Sequence, residues 1–219
     1  MTGASGGSTD RPLPAELARL LHDLRGPLNS AVIHLEVLKR TVADDPAAAG
    51  SLRTVLQQLA RLSEMLPAAL GVAALEPDPP RTHDLRALVE RACQAVGHAG
   101  VTLTTGSWPC VTGDEALLVR AIGELIANAV EATPAGSPAP EVSGAEADGQ
   151  AVLTVRDRGP GLRTTNPKLL IHLMHSTKPG HAGLGLVIVE RVARLHAGTL
   201  EFESLRDGAR VRLRLPAAR

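Results

Sequence analysis

Apolar side chains recur along the first third of the chain at gaps of three and four residues. Leu13, Leu17, Leu20, Leu24, Leu28, Ala31, Leu35, Leu38 and Val42 therefore share one helix face. The stretch "ADDPAAAG" at 43–50 interrupts the stripe. Leu52, Val55, Leu59, Leu62, Leu66 and Ala69 then resume it. Two long helices with a short joint predict an antiparallel hairpin. A single hairpin leaves both stripes poorly covered, and two hairpins cover them as a four-helix bundle. The pattern thus predicts a homodimer.

The composition of "EPDPPRTH" at 76–83 marks a linker. Beyond it the periodicity changes. Asp84 can cap a helix over "LRALVERACQAV", and "VTLTT" at 101–105 alternates like a strand. "DEALLVRAIGELIANAVEA" at 114–132 reads as a long helix, whereas "PAGSPAPEVSGAEADGQ" at 134–150 reads as a mobile loop. "AVLTVRD" at 151–157 is a strand running into the glycine-rich "RDRGPGL". After a polar stretch to Gly180, "GLVIVERVARLHAG" at 185–198 is a helix. "TLEFES" and "ARVRLRLP" are strands that can pair around "LRDG". The predicted class is α+β. A disordered N-terminus at 1–10 precedes a helical hairpin at 11–75, and an α/β sandwich at 84–219 carries its helices on one face of a sheet.

Composition narrows the function. Hydrophobic residues make up 44% of the 219, but Trp108 and Phe202 are the only aromatics, so the core must be aliphatic. So few rings disfavour stacking on nucleic acid. A formal net charge of zero gives no electrostatic case for nucleic acid or an acidic membrane. The longest apolar run, "LPAALGVAAL" at 66–75, falls far short of the roughly 18 residues a membrane span needs. "MTGASGGSTD" lacks the charged and apolar regions of a signal peptide. Cys93 and Cys110 stand without metal-ligand spacing and read as ordinary thiols. A cytoplasmic protein with no membrane insertion is the expectation.

Four stretches carry candidate chemistry. "LHDLRGPLNS" at 21–30 sets His22 off the leucine stripe. Asp23 follows, then Gly26 and Pro27, the two residue types least suited to a helix interior. Imidazole is a capable nucleophile near neutral pH. Pro27 removes a hydrogen bond to the carbonyl of Asp23, which loosens the helix one turn past the histidine. In "ELIANAVEA", Glu124, Asn128 and Glu131 share a helix face. That oxygen set suits Mg2+, which keeps most of its waters and shares phosphate oxygens. "DRGPGL" at 157–162 puts an aspartate at a strand end before alternating glycines, which let a ligand approach the backbone closely. "STKPGHAGLGL" at 176–186 puts Lys178, one of three lysines, before Gly183 and Gly185 at a helix start, where backbone N–H groups bind phosphate. Taken singly, each also fits a bland role: an exposed histidine, a core asparagine, a turn, a loop.

In this order and spacing the four resemble the motifs of two-component sensor histidine kinases and of the wider GHKL ATPase superfamily, which includes gyrase, Hsp90 and MutL. "HDLRGPLN" resembles the phosphoacceptor box and "ELIANAVEA" the N box. "DRGPGL" is similar to the first glycine box, and "STKPGHAGLGL" to the Thr-Lys lid with the second glycine box. The resemblance extends over residues 13–216. It implies a GHKL-type ATP-binding domain using ATP and Mg2+, and a response regulator receiver domain as partner. It implies that His22 accepts the γ-phosphoryl group and that Asp23 orients the imidazole or takes its proton. Asn128 would bind Mg2+, and Asp157 would accept a hydrogen bond from the adenine amino group. Gly159, Gly161, Gly183 and Gly185 would shape the pocket, with Thr177 and Lys178 near the phosphates.

The chain also departs from that pattern. Glu124 stands where the kinases usually have Asn, and where gyrase and Hsp90 relatives have a Glu that activates water. The F box is missing. Ala209 and Arg210 stand where Thr or Ser is usual. Gly26 stands four residues after the phosphoacceptor, where Thr or Asn usually positions a water for dephosphorylating the regulator. About a dozen residues precede the hairpin, which implies input from a separate upstream sensory protein or from the lid itself. Three rival readings stay open: a histidine phosphotransferase with a degenerate nucleotide domain, a GHKL ATPase using Glu124 on water, and a purely structural dimerisation module.

Overall fold

The computed structural model describes residues 15–41, 45–97, 100–162, 164 and 184–218. The chain divides into two units, Met1–Ala74 and Leu75–Arg219.

The first unit pairs α1 (Ala15–Thr41) with α2 (Pro46–Ala73). A groove lined by Leu21, Leu24 and Leu28 from α1 and by Ser63 and Leu66 from α2 sets the early turns of one against the late turns of the other, so the hairpin is antiparallel. Asp45 starts α2. Its carboxylate accepts from the N–H groups of Ala47 and Ala48 at 3.0 and 3.1 Å, and Pro46 takes the first position, where no donor is needed. Helix α1 runs unbroken through Gly26 and Pro27. Leu21, Leu52, Met65 and Val72 are buried, while Ile33 (63%), Val37 (60%) and Leu62 (47%) keep much of their surface exposed.

The second unit contains β1 (Arg81–Asp84), α3 (Leu85–Val96), β2 (Thr102–Leu103), β3 (Cys110–Gly113), α4 (Glu115–Ala132), β4 (Glu141–Ala147), β5 (Gln150–Arg156), α5 (Gly185–Leu195), β6 (Thr199–Leu205) and β7 (Gly208–Pro216). Five strands form one sheet in the order β2-β4-β5-β7-β6, parallel between β2 and β4 and antiparallel elsewhere. Strand alternation divides its faces. Ala151, Leu153, Val155, Leu213 and Leu215 are buried with Leu88, Val89, Leu118, Ile122 and Val189 of the helices. The opposite face carries Thr154, Arg156, Arg210, Arg212 and Arg214. Asp84 and Asp114 cap α3 and α4, accepting from the N–H groups of Ala87 and Leu117 at 2.9 and 3.0 Å.

Two stretches differ from the expectation. Residues 134–150, read as a loop, contain β4, whose Val142 and Gly144 are buried between half-buried Glu141 and Ser143. Small residues blunt its alternation, yet Asp148 and Gly149, both at positive φ, make the tight turn that joins it to β5. The linker stretch 76–83 contains most of β1, which pairs antiparallel with β3. Asp114 Oδ2 also accepts from the N–H of Asp78 at 2.7 Å. Four polar residues are too few to give a periodic signal. Buried His196, at the end of α5, closes the arrangement: its Nε2 accepts from the N–H of Asp114 at 2.9 Å and its Nδ1 donates to the Val192 carbonyl at 2.8 Å. Among the described residues no helix is long and apolar enough to cross a membrane.

Gly208 has φ 138°, and a Cβ built on it would sit 2.1 Å from the Asp157 carbonyl oxygen. Gly208→Ala should therefore destabilise the second unit by roughly 2 to 4 kcal/mol. A urea titration would show this as a lower midpoint.

Candidate functional site

Helix α4 is the spine of the site. Its middle faces the start of α5, where a Cβ on Gly185 would lie 2.7 Å from Glu124 Oε2 and 3.5 Å from Asn128 Nδ2. Glycine at this position thus leaves the carboxylate and the amide their space. Glu124 is half-buried, and Asn128 and Glu131 are exposed.

The end of α4 supports the glycine-rich turn. The Thr133 hydroxyl donates to the Ala129 carbonyl at 2.8 Å and accepts from the N–H of Arg158 at 3.2 Å. A Cβ on Gly159 would meet the Ala132 carbonyl oxygen at 2.6 Å, so only glycine lets this turn settle onto the helix end. Gly161 follows at positive φ. Asp157 is 9% exposed. Its Oδ1 accepts from the N–H groups of Gly159 at 2.8 Å and Ala209 at 3.0 Å. Its Oδ2 takes no hydrogen bond among the described residues and is available to an N–H donor.

Glu124, Asn128 and Gly185 thus meet at one part of α4, Gly159 settles against its end beside Asp157, and Gly161 lies against Ser204 and Gly208 at the β6–β7 turn. Thr177, Lys178 and Gly183 lie outside the described residues. In the other unit His22 is exposed on α1, and Asp23 is the next helical residue. The Asn128 amide oxygen and the Glu124 carboxylate are hard donors. Among the described residues no three His, Cys, Asp or Glu side chains form a metal cage. Such a donor set fits an ion that keeps its waters and shares phosphate oxygens, as Mg2+ does.

Some site-building residues gave no signal in the sequence. Ala209 acts through its backbone, which no side-chain pattern reveals. Thr133 reads as an ordinary helix end. Arg158 was hidden inside the glycine motif: its Nη2 donates to Glu141 Oε1 at 2.5 Å and its Nη1 to Asp207 Oδ2 at 2.8 Å. Arg156 Nη2 donates to both Asp207 oxygens, at 3.0 and 2.9 Å. Desolvation pushes the Asp207 carboxyl up, but the hydrogen bonds and charges of Arg156 and Arg158 together outweigh it and hold the group below its ordinary value.

Residues 113–219 match the family described as Histidine kinase-, DNA gyrase B-, and HSP90-like ATPase. The chain is 27% identical over 206 residues to the Sensor-like histidine kinase SenX3 of Mycolicibacterium smegmatis, covering 86% of this chain and 53% of the relative. It is 33% identical over 220 residues to the Sensor histidine kinase MtrB of Mycobacterium tuberculosis, covering 90% of this chain and 38% of that protein. Among solved structures, the Mycobacterial sensor histidine kinase MprB matches with a TM-score of 0.54 and 27% identity, over 63% of this chain and 97% of that one. The second unit has the GHKL fold. Residues 113–219 carry the ATPase domain of that superfamily, and the chain is similar to two-component sensor histidine kinases. It spans about half or less of the length of these curated relatives.

Proposed function

We propose that this protein is an ATP-dependent histidine kinase that phosphorylates itself on His22 and passes the group to an aspartate of a response regulator receiver domain. The observation that carries the reading is Asp157. It is a buried carboxylate with one oxygen saturated by two backbone N–H groups and the other open to a donor such as the adenine amino group. Asn128 and Glu124 would hold Mg2+, which neutralises phosphate charge when bound. Gly185 would give the phosphates room at the start of α5. The exposed His22 imidazole would attack the γ-phosphorus as the bond to the bridging oxygen breaks and ADP leaves. Asp23 would orient the ring or take its proton. The regulator's carboxylate would then displace the imidazole. Incompletely covered Ile33, Val37 and Leu62 support a second hairpin completing a four-helix bundle.

A second reading has its own observation. Glu124 Oε2 lies beside Gly185, where a carboxylate could also direct water at the γ-phosphate. Labelling separates the two. With γ-labelled ATP, His22→Ala should abolish acid-labile, base-stable label on the protein while ATP binding survives. If His22→Ala still releases phosphate and Glu124→Ala does not, the water-directed ATPase is the correct assignment.

Asp157→Asn should weaken Mg·ATP binding about ten- to a hundredfold, because the charged acceptor for the base is lost. Calorimetry measures this directly. A wild type that binds no ATP would point to the phosphotransferase instead.

Gly26 bears on dephosphorylation of the regulator. It has no side chain to hold a water, Arg25 offers no acceptor, and Pro27 has no polar side chain. The unphosphorylated protein should barely speed phosphate loss from its regulator without ADP. A Cβ on Gly26 meets nothing within 4 Å, so a larger residue fits. Gly26→Thr should gain the activity, read as phosphate release from phosphorylated regulator. Fast release by the wild type that survives His22→Ala would contradict this.

A further inference from the structure

Three consecutive residues at the end of β5 interlock with three at the start of β7. The β5–β7 ladder ends at Arg156 and Arg210, so Asp157 lies one residue beyond it. Its position therefore depends on other ties. The N–H of Asp157 donates to the Ala209 carbonyl at 3.0 Å, and the N–H of Ala209 donates back to Asp157 Oδ1 at 3.0 Å. Gly208 lies against the Asp157 carbonyl so closely that no Cβ fits. Asp207, in the two-residue turn between β6 and β7, takes hydrogen bonds from Arg156 and Arg158, the two neighbours of Asp157. Arg158 is further anchored to Glu141 at the start of β4.

The chain thus alternates. Asp157 is buried, while Arg156 and Arg158 on either side of it grip a carboxylate 57% exposed at the surface. We propose that Asp207 is a positioning residue for base recognition: gripped by Arg156 and Arg158, it holds the β6–β7 turn in the register that presents Asp157 to the nucleotide. The proposal rests on the reading of Asp157 as the base acceptor. Releasing Asp207 leaves the turn free to drift, and a drift of the Ala209 N–H withdraws one of the two donors that orient the Asp157 carboxylate. A directional contact to the base then weakens, because hydrogen bonds lose strength steeply away from their preferred geometry. Ion pairs at this exposure are screened by salt. The grip, and with it base affinity, should fall as ionic strength rises.

Adenosine is the discriminating probe, since it carries no charge and its binding has no direct electrostatic term. In calorimetry on the full chain, Asp207→Asn should weaken adenosine and Mg·ATP by the same factor, roughly three- to tenfold. The common factor arises because the loss is at the base and not at the phosphates. Raising salt from about 50 to about 500 mM should weaken adenosine binding to the wild type but not to Asp207→Asn. Asp207→Glu, which keeps the charge, should recover part of the affinity and the salt response. Arg158→Gln should behave as Asp207→Asn does, which keeps the test open should either variant fold poorly. Thermal unfolding of each variant shows that it is folded at the assay temperature. If Asp207→Asn and Arg158→Gln bind adenosine as the wild type does, with the same salt profile, the positioning role is refuted while the nucleotide site stands. If the wild type binds neither adenosine nor ATP, the site itself is misassigned and the proposal falls with it.

Discussion

Helix α4 must bury one side almost completely while offering oxygen donors on the other, and the second unit is arranged around that requirement. Leu118, Ile122, Leu125, Ile126 and Ala129 lie in the core. Glu124 and Asn128, four residues apart, share another face and meet the start of α5. The two roles are compatible because the helical period keeps them in separate stripes. The helix is also fixed at both ends. Asp114 caps its start and is itself held by His196, and Thr133 joins its last turn to the glycine-rich turn. A donor set on a helix locked by its core and its ends has little freedom to shift, as the proposed Mg2+ site would require.

The sheet solves a different problem, that of holding an edge strand in register. Leu200 and Phe202 on β6 face the helices, and Glu201 and Glu203 face outward opposite Arg212 and Arg210. A one-residue slip would turn every side chain to the wrong face. The outward pairs reinforce the correct choice: Arg210 and Arg212 reach Glu203 at 2.9 and 2.8 Å, and Arg214 reaches Glu201 at 2.8 Å. The Arg210 hydrogen bond, helped by Arg212, holds the Glu203 carboxyl below its ordinary value although desolvation pushes the other way. Each exposed pair contributes little to stability, so their main effect is on specificity of pairing.

What the sequence revealed follows from where its information sits. Helices α3 and α4 were legible nearly to the residue because a capping aspartate stands before each apolar stripe. Strand β7 was legible because Val and Leu alternate with Arg, and β5 because it is a short apolar run rich in Val and Leu. Strand β4 was not, since Gly144, Ala145 and Ala147 carry too little side chain to mark a face. Strands β1 and β3 were not, because four residues each give too short a pattern and their partner is distant in the chain. The same division holds at the site. Asp157, Asn128, Gly159, Gly161 and Gly185 could be picked out as candidates because their chemistry is in the residue type. The Ala209 N–H and the double grip on Asp207 could not, because they exist only once β7 is laid beside β5.

In the proposed reading α1 puts its chemistry in one exposed side chain, whereas the nucleotide side combines the Asp157 carboxylate with the backbone N–H groups of Gly159 and Ala209 that orient it. An imidazole proposed to serve first as acceptor and then as donor would have to stay accessible, and His22 is exposed on a helix surface. Gly26 and Pro27 weaken that helix one turn later, yet α1 continues through them. Packing accounts for the survival. Leu24 and Leu28 flank the pair and line the groove against Ser63 and Leu66 of α2, so tertiary contact replaces what local propensity withholds. Proline leaves the Asp23 carbonyl without its helical partner, but Gly26 and Pro27 are themselves exposed, and water can satisfy that carbonyl at small cost. The pair therefore lowers local helix stability beside His22 without giving up the helix that presents it. A uniformly strong helix would present the same imidazole with less freedom to meet, as proposed, two different partners in turn.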